Sequence, residues 1–362
     1  MTGLQRILDH YSRIIAGEIP EATSPRYGSY AVSALRGGIG KSTLAFNLAY
    51  ELSRDSSLLV ADLCAQRNLT ETFFKHKAHK VDITSALMPQ ILGPAFGDVP
   101  DDISYRISEL CESFKGGKRA YIVPGSPELF AFPSALYQQL KQASVGSPVY
   151  VRKLLQSLRA ILQREAKEKG CDLILMDTSP FYSGGTHLAW CAAEALVIPV
   201  RVDEHSIESL DLTLKMLTEP GRDFLFWNEH AQVTHVPKIA AIVMTMVGAK
   251  SRLQSTPDRA SQMFVERALA KAQAHPELFD FDDPADAFVL TDDFMSAGRI
   301  SGAESIPISE LEVGKFRTVE GKRLQVNQSA ERYKKEIKYL ASLLRGASWA
   351  EPTATGNAGA AA

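Results

Sequence analysis

The sequence predicts an α/β fold in which a mainly parallel, twisted sheet carries helices on both faces. Apolar segments of strand length alternate with amphipathic segments of helix length, as expected for parallel strands joined by helices. Several strand segments are apolar throughout, which is typical of strands buried on both faces. The composition of the 362 residues, 45% hydrophobic and 23% charged, is that of a globular protein and excludes a disordered, collagen-like or coiled-coil chain.

The first residues have the spacing of an amphipathic helix, with apolar side chains at Leu4, Ile7, Leu8, Tyr11, Ile14 and Ile15. We therefore predict an N-terminal helical extension over residues 1–28. It either docks on the domain that follows or serves as a partner-binding arm. The segment has no continuous apolar stretch of the kind found in signal peptides, and no run of about 18 apolar residues predicts a membrane span.

A strand at Tyr30–Leu35, a glycine-rich turn and a helix at Lys41–Ser53 open the predicted domain. Further segments are short and apolar, and we predict strands at Ser57–Asp62, Ala120–Val123, Asp172–Met176, Ala195–Val200 and Ile239–Met246. Longer amphipathic segments predict two helices, at Val149–Lys169 and Ser329–Leu344.

Neither internal repeats nor a clear linker divides the chain, so we predict one domain over residues 29–346. Residues 75–118 and 251–286 would decorate it. Residues 347–362 are mostly small, and we expect a disordered tail there.

The net charge of −2 does not indicate a nucleic-acid or membrane partner, so such a partner would have to bind a local charged patch. The four cysteines are scattered without a CxxC pair, which argues against a disulfide framework or a zinc ribbon: Cys64, Cys111, Cys171 and Cys191. A reducing, cytoplasmic location fits best.

The most informative segment is the glycine-rich turn between the first strand and its helix. Glycines let backbone N–H groups point towards an anion, and the helix N-terminus adds partial positive charge. The lysine can reach the β- and γ-phosphates of a nucleotide, and the serine hydroxyl can bind Mg²⁺. We predict a phosphate-binding loop of Gly37, Gly38, Ile39, Gly40, Lys41, Ser42 and Thr43.

This loop departs from the usual G-x-x-x-x-G-K-[ST] pattern, because Leu35 stands where the first glycine belongs. It instead resembles the deviant Walker A loop of the ParA/MinD-type ATPases. Other segments resemble the further motifs of that family, and together they cover about residues 29–344: 58–70 (LLVADLCAQRNLT), 172–180 (DLILMDTSP), 195–200 (ALVIPV) and 301–307 (SGAESIP).

The resemblance implies a P-loop NTPase fold with ATP and Mg²⁺ as cofactors. Two protomers would sandwich two ATP molecules, and a basic residue of each loop would contact the partner's phosphates. That position holds Arg36, where the family typically has lysine; arginine keeps the charge but differs in geometry. Arg36 and Lys41 are therefore expected to act in catalysis.

Two carboxylates follow predicted strands beside the loop. Asp62 is expected near Mg²⁺ and its waters, and Asp177 is expected to hold the ion, as Ser42 would. The family's water-handling aspartate is replaced by Cys64, and a thiol is a poor substitute for it. We expect slow hydrolysis, unless Asp62 or another residue takes over as the catalytic carboxylate.

Residues 315–338 contain eight basic and three acidic side chains. Such clusters attract a phosphate backbone, and ParA-type relatives bind DNA non-specifically near this end. The candidate DNA contacts are Lys315, Arg317, Lys322, Arg323, Arg332, Lys334 and Lys335. The alternative is a solvated helix face with pairs such as Glu331 with Lys335. The apolar stripe of the last helix is expected to pack on the sheet rather than on a membrane.

Two functions follow from the resemblance. The first is a ParA-like ATPase, which dimerises with ATP, binds non-specific DNA at the nucleoid, and positions DNA or protein cargo with a small partner protein that stimulates hydrolysis. The second is a nucleotide-gated regulatory dimer with little or no turnover.

Overall fold

A computed structural model of the protein describes residues 2–18, 25–182, 184–248 and 256–346. Eight strands of this part form one sheet and two form a separate hairpin. The strands are β1 (Ser29–Val32), β2 (Leu58–Leu63), β3 (Tyr105–Arg106), β4 (Ala120–Val123), β5 (Leu173–Thr178), β6 (Ala195–Arg201), β7 (Lys238–Thr245), β8 (Phe288–Leu290), β9 (Phe316–Val319) and β10 (Lys322–Gln325).

Helices connect these strands and cover the sheet. In the described residues they are α1 (Gly3–Ala16), α2 (Lys41–Ser53), α3 (Asn68–Phe74), α4 (Ile83–Leu92), α5 (Ile107–Leu110), α6 (Phe132–Ser144), α7 (Pro148–Leu155), α8 (Ser157–Lys169), α9 (Gly184–Ala192), α10 (Glu204–Thr218), α11 (Asp223–His230), α12 (Arg259–Gln273), α13 (Met295–Glu304) and α14 (Ala330–Arg345). None of them combines the length and apolar character that crossing a bilayer requires.

The main sheet has the order β3-β4-β2-β5-β1-β6-β7-β8. All neighbouring pairs are parallel except β3 with β4. The predicted α/β fold with a mainly parallel sheet is therefore confirmed. Because β1 lies between β5 and β6, the loop after β1 emerges beside the carboxyl ends of β5 and, one strand further, β2, where ligands of such sheets bind.

Each face of the sheet buries its own apolar layer, as alternate strand residues require. Ala31 and Ala61 point into one layer, while Tyr30, Val32 and Val60 point into the other. Helix α14 contributes its apolar stripe to the second layer and packs against α2 and β7, which confirms the prediction that this helix packs on the sheet. A smaller cluster joins α13, α14 and the hairpin.

The N-terminal helix forms as predicted and is docked on the domain. Ile7, Tyr11 and Ile14 are buried, and α1 contacts α12, α14 and β8. The Tyr11 hydroxyl donates to the buried Glu336 of α14 at 3.0 Å. These contacts favour docking over a free arm, while the boundary between extension and domain stays a prediction. The predicted tail over residues 347–362 lies outside the described residues.

Two sequence predictions need correction. The single helix predicted over Val149–Lys169 is wrong, because the chain breaks at Gln156 between α7 and α8. The two helices pack mainly on different neighbours: α7 contacts α6 and α11, whereas α8 contacts α4 and α9. One straight helix could not make both sets of contacts. The first strand ends at Val32 rather than Leu35, because the backbone turns there into the glycine-rich loop.

Candidate functional site

The loop between β1 and α2 is shaped by left-handed glycines. Gly38 has φ +72° and Gly40 has φ +83°, a region that side chains with a Cβ rarely adopt. Gly40 is the N-cap of α2 and has no side chain to satisfy the first N–H groups of the helix. The loop therefore directs unpaired helix N–H groups and the positive end of the helix dipole into the cavity above them.

That cavity, termed the phosphate cavity, has a volume of about 220 Å³. The predicted residues from Gly37 to Thr43 all line it. Other parts of the chain complete the lining, namely Phe46, Cys64, Gln66, Asn68, Thr72, Thr178, Pro180, Ser301 and Gly302. The structure thus joins the glycine-rich loop to the loop after β2, the end of β5 and helix α13.

Lys41 is buried at the floor of this cavity. Its Nζ donates to the carbonyl oxygen of Arg36 at 2.6 Å, which curls the loop around the ammonium group. Burial lowers the pKa of Lys41, and the nearby Asp177 carboxylate acts in the opposite direction. The loop thus presents a cation that has lost much of its water and can bind phosphate oxygens.

Asp62 and Asp177 are direct register partners on the neighbouring strands β2 and β5. Both residues are fully buried. Burial is the main cause that raises the pKa of each carboxyl, and at Asp177 the proximity of Asp62 raises it further, to about 8. The sequence placed both carboxylates at strand ends, and the structure brings them side by side.

Asp62 has protein partners for both of its oxygens. One oxygen accepts from the backbone N–H of Cys64 at 3.0 Å. The other accepts from the backbone N–H of Thr70 at 2.8 Å and from its hydroxyl at 2.7 Å. Asp62 therefore ties the loop after β2 to the start of α3, and its expected magnesium and catalytic roles stay predictions.

Asp177 has no such partners among the residues that the structure describes. Neither carboxylate oxygen makes a hydrogen bond of normal geometry to any described residue, although both are buried. The Ser42 hydroxyl and the Lys41 ammonium partly offset the rise in its pKa. A buried carboxylate without donors costs free energy unless a cation or a proton satisfies it, so Asp177 and Ser42 form an oxygen-rich pair suited to a hard divalent cation.

Cys64 occupies the position where the resemblance expects a carboxylate. It is 4% exposed and lines the phosphate cavity. Burial raises the pKa of its thiol. The side chain is therefore a neutral thiol near pH 7 and carries no negative charge.

Arg36 lies outside the set of described residues that line the phosphate cavity. Its guanidinium forms an ion pair with Asp203 and a hydrogen bond of 3.0 Å to the hydroxyl of Ser206, both at the start of α10. Partial burial tends to raise the pKa of Asp203, but the Ser206 N–H and the Arg36 guanidinium bring it below its usual value.

A second cavity of about 570 Å³ adjoins the first and shares Ile39, Gly40 and Thr43 with it. It lies at the carboxyl ends of β7 and β8. Both apolar and polar side chains contribute to its remaining lining, which is Leu44, Thr245, Met246, Thr291, Asp292, Asp293, Phe294, Met295, Ser296, Gly298, Arg299 and Leu324. None of these residues is predicted from the sequence, although most of them follow the buried strands β7 and β8.

The predicted basic stretch is not one surface. Lys315, Arg317, Lys322 and Arg323 lie on or beside the exposed β9–β10 hairpin. The other three candidates lie on α14 and make intramolecular contacts: Arg332 with Asp292 and Glu336, Lys334 with Glu331, and Lys335 with the backbone oxygen of Ile15.

Only part of the hairpin charge is neutralised. Lys315 pairs with Glu312 at 2.6 Å. No carboxylate of the described residues lies within ion-pair distance of Arg317, Lys322 or Arg323, and the Arg323 guanidinium stacks 4.1 Å from the ring centroid of Phe316. The hairpin thus presents three exposed cations and an exposed aromatic ring.

A parallel sheet with a lysine-containing glycine loop at its switch point defines the class of P-loop nucleotide-binding α/β proteins. Within that class, the chain belongs to the AAA_31 family of AAA domains, whose profile matches residues 29–222.

The chain is also similar to individual proteins. The chromosome-partitioning ATPase Soj of Thermus thermophilus is 25% identical over 192 residues, which is 52% of this chain and 61% of that protein. A complex of Cyanothece McdA with ATP covers 90% of this chain and 97% of its own, with 17% identity and a TM-score of 0.59. A plasmid partition protein from Borrelia burgdorferi bound to AMPPNP covers 89% and 98%, with 17% identity and a TM-score of 0.51.

These similarities support a ParA-like family, as the sequence motifs indicated. The solved structures share the fold at low sequence identity. The specific readings of Arg36 and Cys64 stay predictions.

Proposed function

We propose that this protein is a ParA-like ATPase, which binds ATP with Mg²⁺ and uses the nucleotide to position or segregate DNA or protein cargo. The observation that carries the proposal is the phosphate cavity, where helix N–H groups, Lys41 and the unsatisfied Asp177 carboxylate converge. The similarity to a chromosome-partitioning ATPase, a plasmid partition protein and McdA supports the positioning role.

Mg²⁺ fits the residues beside the phosphate loop. Ser42 and Asp177 would hold the ion, and their hydroxyl and carboxylate oxygens are the ligands it prefers. When bound, it would neutralise charge on the phosphate oxygens. The chain itself contributes the Lys41 ammonium and the α2 N-terminus to the same phosphates, and Asp62 fixes the loop that carries Cys64.

The second cavity is the place for the nucleoside. It begins at the loop residues shared with the phosphate cavity, and its apolar side chains, such as Met246 and Phe294, suit the faces of a base. Isothermal titration calorimetry with AMPPNP, with and without Mg²⁺, tests the proposal. Binding that strengthens with Mg²⁺ supports it, and absence of heat with every adenine nucleotide overturns it.

Hydrolysis is proposed to be slow because Cys64 supplies no carboxylate to the attacking water. The test compares phosphate release by the wild-type protein, Cys64→Asp and Cys64→Asn. We expect faster turnover only in the aspartate variant, since the asparagine variant matches its size without its charge. A wild-type rate above that of Cys64→Asp would contradict this role of the position.

Non-specific DNA is the proposed partner of the exposed hairpin. The test replaces Arg317, Lys322 and Arg323 together with alanine and compares the variant with a control of equal charge, Lys141→Ala, Lys153→Ala and Lys167→Ala. The salt dependence of DNA binding with AMPPNP should decrease by about two to three in log–log slope for the hairpin variant only. Equal slopes in the two variants would exclude the hairpin as the contact.

A homodimer formed on ATP binding, and a partner protein that stimulates hydrolysis, complete the proposed cycle. The buried neutral thiol of Cys64 also favours a second candidate, a nucleotide-gated regulatory dimer without turnover. Sedimentation with ATP and phosphate release with and without DNA separate the two. Stimulated turnover supports the positioning ATPase, and ATP-dependent dimers without turnover support the regulator.

A further inference from the structure

The segment between β8 and α13 forms one wall of the second cavity. Its residues 291–294, termed the wall loop, all line that cavity. Within the wall loop, the N–H of Asp293 donates to the side chain of its neighbour Asp292 at 2.7 Å. Met295, the next residue, has a left-handed φ of +40°, a region that side chains with a Cβ rarely adopt. Such local contacts do not fix a loop of this conformation by themselves, so its position depends on the elements that pack against it.

Helix α14 packs against the wall loop and holds it at two points. The backbone N–H of Asp292 donates to Oε2 of Glu336 at 3.2 Å, and the Asp292 side chain forms an ion pair with Arg332. The ring of Phe294 contacts that of Tyr333, with 5.3 Å between the ring centroids. Glu336 is fully buried, so protein donors rather than bulk water determine the direction of its carboxyl group.

Another donor to Glu336 comes from the N-terminal helix α1. The Tyr11 hydroxyl donates to Oε1 of Glu336 at 3.0 Å, so the two oxygens of one buried carboxyl group connect α1 with the wall loop. Burial and the nearby Glu336 carboxylate raise the pKa of Tyr11, which keeps its hydroxyl protonated as a donor. Burial also raises the pKa of Glu336 to about 8, against the effects of Arg332 and Tyr11. The carboxyl group offers acceptor oxygens in either protonation state, so the connection does not depend on its charge.

Helix α1 reaches the second cavity through this connection. No residue of α1 is among the described residues that line the second cavity or the phosphate cavity. The wall loop in turn does not contribute to the described lining of the phosphate cavity. An effect of Tyr11 on nucleotide affinity would therefore act on the nucleoside and not on the phosphates.

We propose that Tyr11 and Glu336 are positioning residues that hold the wall loop in the shape that accepts the nucleoside. The docking of α1 thereby sets the affinity of the second cavity for its ligand. This inference rests on the proposed function, which places the nucleoside in the second cavity, and extends it to the residues that determine nucleoside affinity.

The test compares two ligands by calorimetry on the full chain with Mg²⁺: AMPPNP, which carries a nucleoside, and inorganic tripolyphosphate, which does not. Tyr11→Phe removes the hydroxyl and keeps the ring. We expect it to weaken AMPPNP binding about three- to tenfold, the effect of one buried hydrogen bond, and to leave tripolyphosphate binding unchanged. In a Glu336→Leu background, the same substitution should not weaken AMPPNP binding any further, because the carboxyl group that makes the connection is gone.

Tyr30→Phe is the matched control. The Tyr30 hydroxyl is also buried and donates to α14, but its acceptor is the carbonyl oxygen of Leu344, at 2.6 Å, beyond Glu336 towards the end of the helix. The control removes the same group from the same helix without touching the wall loop. It should leave the ratio of the two affinities at the wild-type value.

Unchanged AMPPNP affinity in Tyr11→Phe would overturn the inference, as would an equal loss of affinity for both ligands, which a purely structural role would produce. A changed ratio in Tyr30→Phe, or a further loss in the Glu336→Leu background, would overturn it as well. If the wild-type protein binds AMPPNP no more tightly than tripolyphosphate, the proposed place of the nucleoside is wrong. Absence of binding of both ligands overturns the proposed function as a whole.

Discussion

Strands β2 and β5 carry neighbouring carboxylates at their carboxyl ends, and these two carboxylates have different surroundings. Asp62 and Asp177 share the same register level and complete burial. Asp62 accepts one hydrogen bond from the loop that follows it and two from Thr70 of α3, whereas Asp177 accepts none of normal geometry from the described residues. An acidic residue at a strand end is therefore not by itself a ligand. The donors around it determine whether it orders its own loop or is available to a bound ion.

The largest expected effect concerns Asp177. Replacing it with asparagine should weaken Mg²⁺-dependent AMPPNP binding at least about 100-fold, or about 3 kcal/mol, because the buried anionic ligand is lost. The unfolding midpoint without nucleotide should not fall, since Asp177 accepts no hydrogen bond of normal geometry from the described residues. Calorimetry and thermal unfolding measure the two quantities. An unchanged Mg²⁺ dependence would contradict the conclusion that Asp177 is the carboxylate available to a bound ion.

Asp62→Asn should lower the stability of the fold and leave the Mg²⁺ dependence of nucleotide binding unchanged, the reverse of Asp177→Asn. An amide NH₂ group would face a donor of Cys64 or Thr70, and we expect a loss of about 2–3 kcal/mol in the free energy of unfolding. Denaturant titration measures it. The ratio of nucleotide affinities with and without Mg²⁺ should stay close to that of the wild type. If the variant keeps its stability but its nucleotide affinity no longer depends on Mg²⁺, the metal role would belong to Asp62.

Substitutions at Thr70 test a single hydroxyl of the hydrogen-bond network around Asp62. Its hydroxyl donates to Asp62 and accepts from the backbone N–H of Gly125 at 2.8 Å. Thr70→Val keeps the shape and removes both bonds, so we expect a loss of about 1–2 kcal/mol in the free energy of unfolding. Thr70→Ser, which retains the hydroxyl, is the control and should recover most of it. Equal stability of the two variants would show that the hydroxyl is dispensable.

The smallest effect extends the comparison to a buried group that does not line the phosphate cavity. His187 is fully buried, its Nε2 has no partner in the described residues, and burial lowers its pKa to about 3. Its ordinary value is 6.5. The unfolded chain therefore binds the proton first as pH falls below 6.5, and stability declines, by about 1 kcal/mol at pH 5.5.

Unfolding curves between pH 7.5 and 5 measure this slope. His187→Gln should flatten it, whereas the exposed His205→Gln, as the control, should not. A slope that persists in His187→Gln would assign the acid sensitivity to other groups.

Local patterns predicted the turn between β1 and α2, because its residues lie within a few positions of one another in the sequence. Gly37 to Thr43 line one cavity, as the sequence indicated. Gln66 and Asn68 also line it, although no role is predicted for them from the sequence; the Q-x-N spacing within residues 58–70 is the pattern that points to them. The basic stretch is different, because its members are close in sequence but divided between a hairpin and a helix whose charges have separate partners.

The sequence by itself determined the α/β class, the strand that precedes the phosphate loop, and the loop chemistry, since these depend on periodicity and on residue types at short spacing. Only the tertiary structure decided which charges are satisfied. Asp203 meets Arg36 across 167 positions of the chain, and Arg332 meets Asp292 across 40. Such pairings depend on how strands and helices pack, and the free energy of a buried charge depends on the partners that packing supplies.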